Sequence, residues 1–152
     1  MSPLQDLALR QLDATLQPAA ALRGLTPPAT GWAAAIRRAL GVTTRQMAKR
    51  LGLSQSSYAD AEANEAKGTI SLNQLRRVAD ALDCELVYAL VPRRPLAEAV
   101  DRRATELARR AVLGVAHSMA LEQQATSEAL TEAQIARAKS QLLAGRWSRL
   151  WD

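Results

Sequence analysis

The chain has 152 residues, about one domain by the usual prior, and 48% hydrophobic against 23% charged residues put a globular core within reach and exclude a disordered tail. With three Trp, two Tyr and no Phe, packing falls to Leu, Ala, Val and Ile, which suits helices better than a sandwich of aromatic-rich strands. A formal charge of +5 admits an anionic partner, nucleic acid or a membrane surface, whereas a single cysteine, Cys84, and a single histidine, His117, exclude an internal disulfide and a Cys/His zinc set.

Ser2-Pro3-Leu4-Gln5 has the form of a capping box with proline at the first helical position. Leu4, Leu7, Leu9, Leu12 and Leu16 follow, predicting a leucine-faced helix that ends near Pro18. The opening residues lack the basic and then apolar layout of a signal peptide, and no apolar run approaches the ~20 residues of a membrane span. The expectation is a cytoplasmic protein with no membrane partner. Thr26-Pro27-Pro28-Ala29-Thr30-Gly31 reads as an extended linker, because each proline biases its predecessor away from helix.

Beyond it, Trp32, Ile36 and Leu40 recur at helical spacing up to Gly41. Thr43-Thr44-Arg45-Gln46 is a capping box opening a helix with Met47, Ala48 and Leu51 inside, closed by Gly52. Ser54 is placed to cap the next helix, from Gln55 to about Asn64, with Tyr58, Ala61 and Glu62 on its less exposed side. Ser71-Leu72-Asn73-Gln74 caps a fourth, with Leu72, Leu75, Val78, Ala79 and Leu82 as its stripe. Four short capped helices in so short a stretch predict a compact bundle.

The run Cys84-Glu85-Leu86-Val87-Tyr88-Ala89-Leu90-Val91-Pro92 breaks the helical rhythm with β-favouring residues. It predicts one strand, and a lone strand needs a ladder partner. The same strand of a second copy would supply one, giving an intersubunit ribbon and a homodimer through Leu86, Val87, Tyr88, Ala89 and Leu90. A connector satisfied by water and nearby loops is the alternative. From Leu96 a long helix carries Val100, Ala104, Leu107, Ala111 and Val115 toward Met119. Thr131-Glu132-Ala133-Gln134 is expected to cap another, with Ile135, Ala138 and Leu142, ending at Gly145. Trp147, Leu150 and Trp151 stand on an otherwise polar tail; docking onto the helical body is the first expectation, and partner binding the second.

Charge is unevenly spread. Residues 1–31 are neutral, residues 95–152 carry +1, and residues 32–94 carry +4, ten basic side chains against six acidic ones. An electrostatic footprint for phosphate is therefore expected in the middle segment.

That segment also holds Arg45-Gln-Met-Ala-Lys-Arg-Leu-Gly52-Leu-Ser-Gln-Ser-Ser-Tyr-Ala-Asp-Ala-Glu62, which resembles the helix-turn-helix of the lambda-repressor-like (Cro/C1, or XRE) family. A small Ala48 lets two helices cross closely, Gly52 permits the positive φ of the turn, and Ser54 caps the second helix toward DNA. The resemblance implies DNA contact by Gln55, Ser56, Ser57, Asp60 and Asn64 with Ser54 at the helix start, and phosphate contact by Thr44, Arg45 and Lys67. Asp60 is an acid where a neutral or basic reader is common, and Ala61 is smaller than the usual residue.

A wider resemblance covers nearly the whole chain: Gly31-Trp32, Arg37 to Gly41, Glu62-Ala-Asn-Glu65, Gly68-Thr-Ile-Ser-Leu72, Asp83 to Pro92 and Arg149-Leu-Trp-Asp152 look like the family called mobile mystery protein A. That family implies a helix-turn-helix regulator on a mobile element beside a Fic-domain protein, and so a toxin–antitoxin pair. The Fic-neutralising motif Ser/Thr-x-x-x-Glu-Gly/Asn has a near match in Ser118 to Gln123 that fails at its last position.

No Ser-His-Asp order, Gly-rich phosphate loop or HExxH motif is present, and Cys84 and His117 lack the surroundings of a catalyst. No catalytic residue, metal or cofactor is expected. The sequence thus predicts a mostly α chain in four parts: an N-terminal helix with linker over 1–30, a lambda-repressor-like helix-turn-helix bundle over 31–83, a dimerisation strand over 84–94 and a helical C-terminal region over 95–152. The expected function is a dimeric, sequence-specific repressor of double-stranded DNA that regulates its own operon. The alternative is an antitoxin-like protein restraining a Fic-domain partner through its C-terminal helices.

Overall fold

A computed structural model describes residues 3–121 and 127–152, and of residues 116 and 118–121 the backbone alone. The described residues form seven α-helices, α1 (Pro3–Leu16), α2 (Trp32–Ala39), α3 (Thr44–Leu51), α4 (Gln55–Lys67), α5 (Leu72–Ala81), α6 (Leu96–Leu121) and α7 (Glu128–Ala144), with 3-10 helices at Gln17–Gly24 and Trp147–Leu150. The chain divides into two compact units, residues 21–89 and residues 1–20 with 90–152. No described helix is long and apolar enough to cross a membrane.

In the unit of residues 21–89, α3 packs on α4 and α5, and α2 packs on α4. Its core is Ala33, Met47, Ala48, Tyr58, Val78 and Leu82, with Ile36, Val42 and Leu51 packed against them. The local signals behave as their chemistry requires. Thr43 accepts from the Gln46 amide at 3.1 Å while the Gln46 side chain accepts from the Thr43 amide at 2.8 Å, so two orphan donors of α3 are met reciprocally. Ser54 and Ser71 accept from the amides of Ser57 and Gln74, each at 3.1 Å. Gly52 closes α3 at φ 67°, the left-handed region, where a β-carbon would be strained. On α2 the buried face is Ala33, Ala34 and Arg37, while Trp32 and Leu40 of the expected stripe are exposed. The helix is turned to bury a paired arginine in place of a second large apolar side chain.

In the other unit α6 packs on α7, α1 lies on α6, and the C-terminal 3-10 helix packs on both α6 and α7. Val100, Ala104, Trp147 and Leu150 form the core, joined by Leu9, Leu107, Leu142 and Leu143. Trp147 and Leu150 are thus docked, whereas Trp151 stays exposed. The Trp147 indole donates to the Leu143 carbonyl at 3.0 Å and Arg103 Nε donates to the Leu150 carbonyl at 2.5 Å. On α1 the half-buried positions are Asp6, Leu9, Asp13 and Leu16, and Leu4, Leu7 and Leu12 are exposed. At 100° per residue the five leucines cannot share one face. Helix α7 begins a turn before the expected Thr131 cap: Ser127 accepts from the Leu130 amide at 3.3 Å, and Thr131 sits inside the helix, its hydroxyl donating to the Ser127 carbonyl at 3.1 Å. Ser2, Glu122 and Gln123, named by the sequence reading, lie outside the described residues.

The expected strand is absent from the described residues. Residues 84–92, including Leu86, Val87, Tyr88, Ala89 and Leu90, run without helix, turn or bend. A strand exists only where a neighbouring backbone completes a ladder, and a single chain supplies none, so the predicted intersubunit ribbon finds no support within it.

Candidate nucleic-acid interface

Helices α3 and α4 are joined by Gly52, Leu53 and Ser54, and α4 divides sharply into two faces. Tyr58 and Ala61 are fully buried, at 0% and 1% exposure, with Glu62 and Glu65 half-buried beside them. Gln55, Ser56, Ala59, Asp60 and Ala63 are exposed, and Asn64 is half-buried at their edge. The candidate readers Gln55, Ser56 and Asp60 thus share one solvent face of one helix. Arg45 is exposed on the first turn of α3 and Thr44 is half-buried before it. Lys67 is exposed in the last turn of α4 and not in the loop that follows.

One hydrogen bond brings the starts of the two helices together in a way the sequence does not announce. Gln55 Nε2 donates to Thr44 Oγ1 at 2.9 Å. This bond fixes the amide of the first α4 residue against α3, and leaves one N–H and the Oε1 acceptor, the pair that bidentate contact with adenine uses. The Ser54 hydroxyl accepts from the Ser57 amide and donates to Ser57 Oγ at 2.7 Å, with Ser56 Oγ at 3.2 Å. Ser54 and Ser57 therefore work first as the cap, whose amide dipoles point out of the helix start and suit phosphate.

Behind the exposed face, α4 is anchored by charge. Arg37 reaches from α2 to Glu62 in a fork, Nε to Oε1 at 2.5 Å and Nη2 to Oε2 at 3.0 Å, and its Nη1 donates to the Val42 carbonyl at 3.0 Å. Both side chains are about one-tenth exposed. The hydrogen bonds to Glu62 raise the Arg37 pKa against the opposing effect of burial. Burial alone would push the Glu62 carboxyl up, yet the Arg37 hydrogen bonds hold it below its ordinary 4.5. Burial, and then Glu62, push the Tyr58 hydroxyl well above its usual range. One turn on, the Glu65 carboxylate accepts from the amides of Trp32 and Ala33 at 2.7 and 2.9 Å. It caps α2, whose own N-cap, Gly31, has no side chain to offer. A β-carbon on Gly31 would sit 2.9 Å from that carboxylate, at φ +83°, so only glycine fits.

Sequence reasoning missed Glu65, the buried Arg37 and the Thr44–Gln55 bond. Glu62, assigned to the less exposed side of α4, was the available signal for Arg37, since a half-buried carboxylate calls for a cation nearby. Arg50 and Arg77 were also missed in their structural role: they donate to the Ala81 and Leu51 carbonyls at 3.0 and 3.2 Å.

No curated protein and no solved structure matches the chain. Residues 34–88 match the family described as Helix-turn-helix, and that match supports a helix-turn-helix of the XRE, lambda-repressor-like type, as DNA-binding transcription regulators carry.

Proposed function

We propose that the protein is a dimeric, sequence-specific repressor that lays α4 of each copy in successive major grooves of duplex DNA. The observation that carries the reading is the exposed face of α4, with Gln55 held by Thr44 at its head and Arg45 and Lys67 exposed beside it. Gln55, Ser56, Asp60 and Asn64 read base edges; Thr44, Arg45, Lys67 and the Ser54 to Ser57 cap hold phosphates. Asp60 suits the amino group of cytosine, the one ligand for which a carboxylate is the better reader. The run of residues 86–90 joins two copies, so half-site centres fall about 34 Å apart on a palindrome. The resemblance to mobile mystery protein A supports a regulator in an operon on a mobile element beside a Fic-domain protein. Co-purification of the full chain with that neighbour would extend the reading to a toxin–antitoxin pair.

Selection of duplexes from a random pool at physiological salt tests the proposal. Gln55→Ala relaxes preference at one base pair by about 1–3 kcal/mol, whereas Arg45→Ala weakens every sequence and lowers the salt slope by about one. Recovery of no preferred duplex overturns it.

A further inference from the structure

Helix α4 carries three carboxylates, and the fold uses two of them. Glu62 is forked onto Arg37, and Glu65 caps α2. Asp60 is exposed on the reading face, and its side chain makes no hydrogen bond or ion pair among the described residues. An unpaired acid in the middle of a surface meant for a polyanion weakens binding unless the DNA answers it with a donor. A carboxylate offers acceptors alone. In the major groove, cytosine presents its N4 amino group, whereas guanine presents O6 and N7, thymine presents O4, and adenine sets an N7 acceptor beside its N6 donor.

Helix geometry adds the position of that base relative to the one Gln55 reads. From Gln55 to Asp60 the helix rises about 7.5 Å and turns through about 140° beyond a full revolution. The rise spans at least two base-pair steps of roughly 3.4 Å. The turn puts the two side chains on opposite flanks of the exposed face, with the exposed Ser56 and Ala63 between them. A helix lying along the major groove has one DNA strand under each flank. We propose that Asp60 selects the operator by exclusion: each half-site holds a cytosine on the strand opposite the adenine read by Gln55, two to three base pairs from it, and duplexes that place an acceptor there are turned away. The proposal rests on the DNA-reading role assigned to α4 above, and adds to it the spacing, the strand and the sign of the discrimination. A charge left unpaired against the wrong partner is a general means of rejecting it. Removing this one therefore has two opposite effects, tighter binding to arbitrary duplexes and lost discrimination at a single base pair. A side chain with only a structural role would produce neither.

Selection from a random duplex pool at physiological salt, run in parallel on full-length wild type, Gln55→Ala, Asp60→Ala and Asp60→Asn, with thermal melting to check folding, tests the proposal. Replacing the selected cytosine by thymine weakens wild-type binding on the order of tenfold. Asp60→Ala shows no preference at that base pair and binds an unrelated duplex about threefold or more tighter than wild type. Asp60→Asn moves the preference there to adenine, the base an amide reads. The base pair relaxed by Gln55→Ala lies two to three steps away, its adenine on the other strand. A wild type that selects no motif overturns the reading of α4 and this inference with it. A wild-type motif that both Asp60 variants reproduce unchanged, or one they alter outside that spacing, overturns this inference alone.

Discussion

The two units solve one problem alike and a second one differently. Each contains a helix whose first amides are met by a carboxylate from far along the chain: Glu65 for α2, 33 residues away, and Asp13 for α6, at 2.6 and 3.0 Å to the amides of Leu96 and Ala97. In both, a charge opposite the positive end of the helix dipole does what a local Ser or Thr does elsewhere. They part company over what fixes the core. The 1–20 and 90–152 unit closes over an apolar set that includes Trp147 and Leu150. The 21–89 unit places a forked ion pair, Arg37 with Glu62, behind α4. A buried pair is a poor source of net stability, because desolvation offsets most of the Coulomb attraction, but it is intolerant of losing one member. The contrast teaches that the long helical pair is built for packing and the helix-turn-helix for fixed orientation.

The largest expected effect is in the packed unit. Trp147→Ala removes a nearly buried indole and should cost about 3–5 kcal/mol, read from denaturant unfolding with amide exchange across α6 and α7. A loss below 1 kcal/mol would show that the tail does not close this core.

Next is Arg37→Ala, which strands Glu62 and should cost roughly 3 kcal/mol. Its pH signature separates ionic orientation from plain packing. The folded-state pKa of Glu62 is depressed, so its stabilisation is complete above its ordinary 4.5 and is lost as pH falls below that value through the folded one. Melting curves of wild type should therefore fall with acid across that window, and Glu62→Gln should flatten the slope. An unchanged slope would remove the ionic half of the contrast.

Smallest are the distant caps. Asp13→Ala and Glu65→Ala should each cost about 1 kcal/mol, with exchange quickening at the amides of Leu96 and Ala97 or of Trp32 and Ala33. If one cost far more than the other, the shared device would not be the same device in the two units.

The helix-turn-helix was legible because its signals are local. Thr43, Ser54, Ser71 and Gly52 act on backbone groups within a few residues, so their chemistry is written in the order of the letters. Glu65, Asp13 and Arg37 act across folded distance, and nothing in the neighbouring sequence marks a carboxylate as a cap for a helix 33 or 83 residues away. The exposed Leu4, Leu7 and Leu12 show the other limit: leucine content was read as a face, and helical geometry divided it. The composition of residues 84–92 favours a strand, whereas strand is a property of two backbones together.

The division of α4 bears on how such a protein changes its target. Tyr58, Ala61, Glu62 and Glu65 are committed to the fold, and the side chains at 59, 60 and 63 are exposed, as is Ser56 apart from its contact with the Ser54 cap. On the proposed reading, operator preference can drift through those four positions by single substitutions that leave folding intact. A library randomised there should yield folded proteins with altered base preference at high frequency, and one randomised at 58, 61, 62 and 65 should yield almost none.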